Sequence, residues 1–296
     1  MGDIQLPKLA RLKPATTPLI NPLPEYLAKN HLHTIYEDTK SVLQVPWMGV
    51  VTMAFAHYKE FYDALWGGLR ELAGSVEFVT ACRALRSYTE QRADILAPAQ
   101  ITGNLNAIGY SDREINEIRE QIEIFSHGNM PYVLISTAAR LLLEDVPLSS
   151  KTNVVPFTGQ HGPSKANRMT LIEAHHADAA TISVYEDIKS TLGLPFVNTD
   201  YRALARWPSY FQPAWSNAKQ HIQTAAYEEA VTSVHEFAVN LVLSLPNPAK
   251  LSPETLKAAA NKDATEQEVL EVVRLFQWLL PGLVTNIALM RHQLKL

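Results

Sequence analysis

One cysteine, Cys82, occurs in 296 residues, so no internal disulfide can form. That scarcity fits a reducing compartment and sets the cytoplasm as the expected location. Paired cysteines, His-Glu-x-x-His and tight His/Cys spacings are all missing, so the chain carries no metal signature. His175-His176 and the close pair His31 and His33 read as exposed side chains instead. Phosphate-cradling loops, the dinucleotide pattern G-x-G-x-x-G and the nucleophile elbow G-x-S-x-G are absent too, and no cofactor is expected. Positive charge is scarce and scattered: 26 basic against 30 acidic residues leave a net charge of -4. Nucleic acid is therefore not an expected partner, because phosphate contacts need concentrated cations. No run of about 18 uncharged apolar residues is present, and the opening segment lacks the apolar core of a secretory signal. Gly2 lacks the downstream Ser or Thr that acylation requires, so no membrane partner is expected either. Alternating apolar and polar runs are missing in both halves, which leaves an all-α reading.

What the chain does contain is a duplication. Ile35 to Trp66 and Val184 to Trp215 align without a gap, Tyr36 falling on Tyr185, 149 residues later. Glu37/Glu186, Asp38/Asp187, Lys40/Lys189, Pro46/Pro195 and Trp66/Trp215 also match. A period of about half the chain is too long for a solenoid and points to two fused, similar halves. The expected division is a first helical repeat with an N-terminal arm over residues 1–146, a connection over 147–168 and a second repeat over 169–296. The ends of the repeats pair at an offset of 154, with Ile115, Ile118, Ile122 and Phe125 falling on Val269, Val272, Phe276 and Leu279.

Apolar spacing predicts helices over about Leu23–Leu43, Thr52–Ala73 and Val76–Leu96, with Pro46 stopping the first. Ser111 and Glu114 form a capping box for the next helix, which is expected to break at Ser126–Asn129 and resume over Pro131–Leu143. In the second half the expected helices are Thr170–Leu192, Tyr201 onward, Ala225–Leu245 and Glu266–Gln293, the last bent or split by Pro281.

The copies differ at one chemically loaded position, where Val51 of the first repeat corresponds to Asp200 of the second. Asp200 reads either as a helix N-cap or as a general base, and its second oxygen allows both. Asn129 and Tyr132 fall on Leu283 and Asn286 at the other offset. They read as a turn or as a hydrogen-bonding wall that orients a substrate or attacking water. Trp47 follows Pro46 as Phe196 follows Pro195, either as a structural aromatic or with its indole N–H facing a halide or carboxylate. Cys82 reads as a small helix side chain, and the repeated Tyr-Glu-Asp triplets as packing elements. Apolar halves with polar groups on one side suggest a single asymmetric pocket of the kind small ligands use.

Three stretches carry a resemblance: Tyr36-Glu37-Asp38 through Val45-Pro46-Trp47, Phe125 through Asn129, and Thr199-Asp200-Tyr201-Arg202 through Pro208. Together with the duplication, and over about Leu32 to Leu294, the chain resembles the group I, non-stereospecific DL-2-haloacid dehalogenases. The resemblance implies an all-helical subunit built as an intramolecular pseudo-dimer that associates into a homodimer. It implies cofactor-free replacement of halogen by hydroxyl at C2 of short 2-haloalkanoic acids, D and L alike, with inversion. Its partners would be a small anionic halogenated acid and water. The family's catalytic aspartate falls on Asp200, its water-orienting asparagine on Asn129 and its adjacent serine on Thr199. Trp47, Val50 and Tyr132 match the pocket wall, and Phe276 stands where the family has a tyrosine. Val50 replaces a phenylalanine of a relative, and a family glutamate falls near Val79, which leaves Glu77 as the neighbouring acidic group. The competing readings are a dehalogenase in which Asp200 forms a covalent ester, and a non-catalytic helical protein that binds a small ligand.

Overall fold

The computed structural model describes residues 9–163 and 169–294. The opening residues through Lys8, including Gly2, and residues 164–168 of the connection lie outside the described residues. The fold is all-α, and among the described residues the sole β pairing is an isolated bridge between Ser75 and Pro156.

The first repeat supplies α1 (Asn30–Leu43), α2 (Val50–Phe55), α3 (Lys59–Ala73), α4 (Val76–Ile95), α5 (Thr102–Ala107) and α6 (Asp112–Leu143). The second supplies α7 (Ala179–Leu192), α8 (Thr199–Leu204), α9 (Pro208–Ile222), α10 (Ala225–Ser244), α11 (Pro253–Asp263) and α12 (Glu266–Gln293). The starts of α1, α2, α3 and α4 return 149 residues later, and the start of α6 returns 154 later. Detailed contacts return as well. Tyr36 donates to the Leu23 carbonyl at 2.8 Å, as Tyr185 does to Ile172 at 2.7 Å. The Trp66 indole donates to Asp38, and that of Trp215 to Asp187, both at 2.8 Å. Gln44 and Gly193 both end their helices in the left-handed region, φ 53° and 61°.

Amphipathic spacing explains which faces are buried. α3 buries Phe61, Tyr62, Leu65, Trp66, Leu69 and Leu72, a stripe at three- and four-residue steps. α9 buries Tyr210, Phe211, Ala214, Trp215 and Ala218 at the same steps.

Two compact units emerge, each drawing on both repeats. The first comprises residues up to Arg86, Gly128–His161 and Thr232–Pro281; the second comprises Ser87–His127, Gly162–Val231 and the chain from Gly282 on. In the first, the arm from Leu9 runs without regular structure and is held by buried donors. Arg140 donates to the Ala10 carbonyl at 2.9 Å and to Gln277 at 2.6 Å. His235 Nε2 bonds the Leu9 carbonyl at 2.6 Å, and its Nδ1 meets the Gln277 amide at 2.8 Å. In the second unit, Ala93, Ala218, Tyr227, Val231, Ala288 and Leu289 form one apolar cluster.

Several expected boundaries differ. α1 begins at Asn30 because Pro22 and Pro24 hold the preceding chain extended, with only a short 3-10 turn at Glu25–Leu27. α7 begins at Ala179, where Asp178 caps it by accepting the Thr181 N–H at 2.7 Å. The single helix expected over Thr52–Ala73 is two, because Asp263 accepts the Phe61 N–H at 2.8 Å and supports a fresh helix start. The stretch from Tyr201 divides likewise into α8 and α9, where Pro208 takes the first helical position.

The expected break at Ser126–Asn129 does not occur, and α6 runs through Pro131. Proline there removes one backbone bond, to the His127 carbonyl, while Phe125, Met130, Tyr132 and Val133 are all buried around it. Packing outweighs the local cost. α12 likewise passes Pro281 unbroken. By length and composition α12 could cross a membrane, but 89% of its most apolar window is buried within the protein, as in a core helix. The capping box forms as expected: Glu114 accepts the Ser111 N–H at 3.0 Å and Ser111 Oγ accepts the Glu114 N–H at 3.3 Å. α11 was not foreseen; Ser252 caps it and Pro253 opens it.

Candidate active site

The loop after each duplicated helix leads into a six-residue helix, α2 or α8. Proline at position 46 or 195 keeps the loop extended, and the next residue, Trp47 or Phe196, precedes a short run into that helix.

In the first unit, Val50 is the first residue of α2 and is half-buried. Trp47 is buried and meets Tyr132 edge to face, with ring centroids 6.0 Å apart. The Tyr132 hydroxyl donates to the Trp47 carbonyl at 2.7 Å. Its proton is thus committed, and the phenol's pKa is pushed far up by burial. Tyr132 therefore offers a ligand its ring rather than an O–H. A Cβ on Gly128 would lie 2.4 Å from the Trp47 ring, and one on Gly49 would lie 3.0 Å from the Tyr132 ring, so both glycines permit this packing. Asn129 follows Gly128 on α6 and is buried, 3% exposed. Phe276, on α12, packs edge to face on Phe55 at 5.9 Å. Glu77 accepts the Val155 N–H at 3.0 Å, which clamps the connection, while Val79 is buried.

In the second unit, Thr199 and Asp200 are the first two residues of α8. The N-cap position is Asn198, two residues before Asp200, and its side chain makes no capping hydrogen bond, so Asp200 is not the N-cap that the sequence allowed. Asp200 is only 2% exposed, in an environment where an ionised carboxylate needs strong compensation. The matching Val51 is equally buried at 2%. In the same unit, Tyr227 donates to the Asn286 oxygen at 2.8 Å, and the Asn286 amide donates to the hydroxyl of Tyr201, the residue after Asp200, at 2.9 Å. Burial pushes the Tyr201 phenol well above its usual range, Asn286 opposes this, and the neighbouring Asp200 charge adds to it. This chain was missed from sequence, although the 154-residue register had already paired Asn286 with Tyr132.

Trp47, Val50, Asn129, Tyr132 and Phe276 thus belong to the first unit, and Thr199 and Asp200 to the second. Among the described residues no group of His, Cys, Asp and Glu converges as a metal site. His31, His33, His175 and His176 are exposed, and burial raises the Cys82 thiol far above its usual range, away from nucleophilic use. A surface cleft of about 880 Å³ lies within the first unit, between the arm and residues of α6 and α12, and no proposed site residue lines it.

No family model matches the chain. Over 244 residues, 82% of this chain and 95% of the relative, it is 44% identical to an (R)-2-haloacid dehalogenase of Rhizobium sp. (strain NHG3). The chain belongs to the 2-haloacid dehalogenase family. A second (R)-2-haloacid dehalogenase, from Pseudomonas putida, is 34% identical, and the match spans 98% of this chain and 96% of that one. A configuration-inverting 2-haloacid dehalogenase from Pseudomonas sp. (strain 113) is more distant, 23% identical over 73% of each chain. The fold is that of a D-2-haloacid dehalogenase solved in complex with L-LA, with a TM-score of 0.89, 32% identity, and coverage of 97% of this chain and 100% of the other. Like these dehalogenases, the chain is a hydrolase of the class acting on carbon–halide bonds.

Proposed function

We propose that the protein hydrolyses short 2-haloalkanoic acids to 2-hydroxyalkanoic acids with inversion at C2. Asp200 removes a proton from water while Asn129 orients that water toward C2. The water oxygen bonds to C2 from the face opposite the halogen, and the carbon–halogen bond breaks with its electron pair on the halide. No side chain is alkylated to an ester, and no metal is required. Trp47, Val50, Tyr132 and Phe276 form an apolar wall, and Thr199 hydrogen-bonds the substrate carboxylate. The observation that carries this reading is the near-complete burial of Asp200 in a helix whose duplicate keeps Val51.

The resemblance alone implied both enantiomers. We propose (R)-substrates as the preferred ones, because the relatives at 44% and 34% identity are (R)-2-haloacid dehalogenases and the relative at 23% carries no such prefix. Attack opposite the halide then gives the (S)-hydroxy acid. The assembly implied by the resemblance is a homodimer, which sedimentation velocity tests.

The deciding experiment is halide release from separated (R)- and (S)-2-chloropropionate by wild type and Asp200→Asn. Wild type is expected to turn over the (R)-acid faster, and the variant to lose release while its circular dichroism is unchanged. Equal rates would remove the stereochemical preference, and full activity in Asp200→Asn would remove the base. A single turnover in heavy-oxygen water is expected to label product alone; label in Asp200 would establish the ester route.

A further inference from the structure

The polar character of α8 extends beyond its aspartate. Arg202, two residues after Asp200, donates through Nη1 to Glu173 at 2.6 Å and through Nη2 to Thr199 Oγ1 at 3.3 Å. A guanidinium has donors only, so Thr199 is the acceptor in this contact. The Thr199 proton is then left for another acceptor, and none takes it among the described residues. Thr199 is itself 5% exposed.

The first repeat shows that the fold does not require this arrangement. At the matching positions it has Pro24 for Glu173, Val50 for Thr199 and Met53 for Arg202. The backbone around them is nevertheless the same: the Leu23 N–H bonds the Met53 carbonyl at 2.9 Å, and the Ile172 N–H bonds the Arg202 carbonyl at 3.0 Å. Arg202 also leaves its Nε–H buried without an acceptor among the described residues, a cost that the methionine of the other repeat avoids.

We infer that Arg202 is a positioning residue: it locks the Thr199 hydroxyl as a donor, so that Thr199 presents its proton to the carboxylate of the substrate. Glu173 holds the guanidinium for this task. The inference rests on the proposed reaction and adds a determinant of carboxylate binding that the base itself does not supply.

Titration calorimetry of (S)-lactate binding to the full-length Asp200→Asn protein tests it without interference from turnover. Thr199→Val in that background is expected to weaken binding about tenfold, the loss of one charge-assisted hydrogen bond. Arg202→Met, which installs the residue of the first repeat, is expected to weaken it by a similar factor. The two together are expected to be no worse than Thr199→Val alone. The inference is overturned if Arg202→Met leaves affinity unchanged, if its loss multiplies with that of Thr199→Val, or if the parent binds no lactate. Should Arg202→Met melt early, Glu173→Gln takes its place, with the same dependence on Thr199 expected. Failure of the base assignment would show separately, as halide release that survives Asp200→Asn.

Discussion

α2 and α8 are the same six-residue helix built twice, each reached through a Pro-aromatic loop from a helix closed in the left-handed region. One reads Val50-Val51-Thr52-Met53, the other Thr199-Asp200-Tyr201-Arg202. Because the apolar version holds its frame with equivalent backbone bonds, the polar version is not there for folding. Thr199 and Asp200 bury polar groups at a cost in stability that Val50 and Val51 avoid. Duplicate frames of this kind separate what a helix needs to fold from what it needs to react.

The largest test of that separation alters the matched second residues of the two helices, Val51 and Asp200. Asp200→Asn is expected to lower kcat on the order of 10²–10⁴-fold, the range of a general base, with the melting transition retained. Val51→Asp is expected to create no second site and to destabilise by about 4 kcal/mol, the cost of a roughly three-unit pKa shift in a buried carboxylate without prepared partners. Urea denaturation and halide release together check both arms. A stable, active Asp200→Asn would break the comparison.

Gly128→Ala probes the wall in the first unit. Its methyl group would stand 2.4 Å from the Trp47 ring, so the indole must move. A stability loss of about 2 kcal/mol is expected from overpacking, with a larger relative fall in kcat/KM than in stability. Tyr132→Phe leaves the Trp47 carbonyl without its 2.7 Å donor and should cost about 1–2 kcal/mol. Chemical denaturation and steady-state kinetics measure each.

The smallest expected effects concern the features that the halves share. Hydrogen bonds from Arg70 hold the Asp38 carboxyl below its usual range, and those from Lys219 do the same for Asp187. A depressed carboxyl stabilises the fold above its unfolded value, about 3.9, and loses that contribution as pH falls through the folded value. Asp38→Asn and Asp187→Asn should therefore both cost under about 1 kcal/mol at neutral pH, less at high salt, by similar amounts. A clear inequality in thermal melts would show that the duplicate frames are not energetically equivalent.

Much of this was legible in sequence because it is local or periodic. The all-helical class followed from apolar spacing, and the offsets of 149 and 154 matched the starts of α1 to α4 and of α6 with their counterparts, while α11 fell outside that register. The Val51/Asp200 difference singled out the carboxylate before any contact was known. What stayed hidden depends on residues distant in the chain. The division between α2 and α3 is stabilised by Asp263, and the passage of α6 through Pro131 depends on burial around it. Nothing local marks Arg202, because its guanidinium is held by Glu173, distant in the chain, as well as by Thr199.

The arm that precedes the first helix is fastened from within. Burial pushes His235 down to about 4, so it stays neutral at neutral pH and meets the Leu9 carbonyl and Gln277. Trimming the chain past Ala10 would strip acceptors from both His235 and Arg140, leaving donors stranded in the interior. Shortened expression clones that begin at the duplicated segment should therefore yield less soluble protein, whereas tags placed ahead of Leu9 leave those attachments intact.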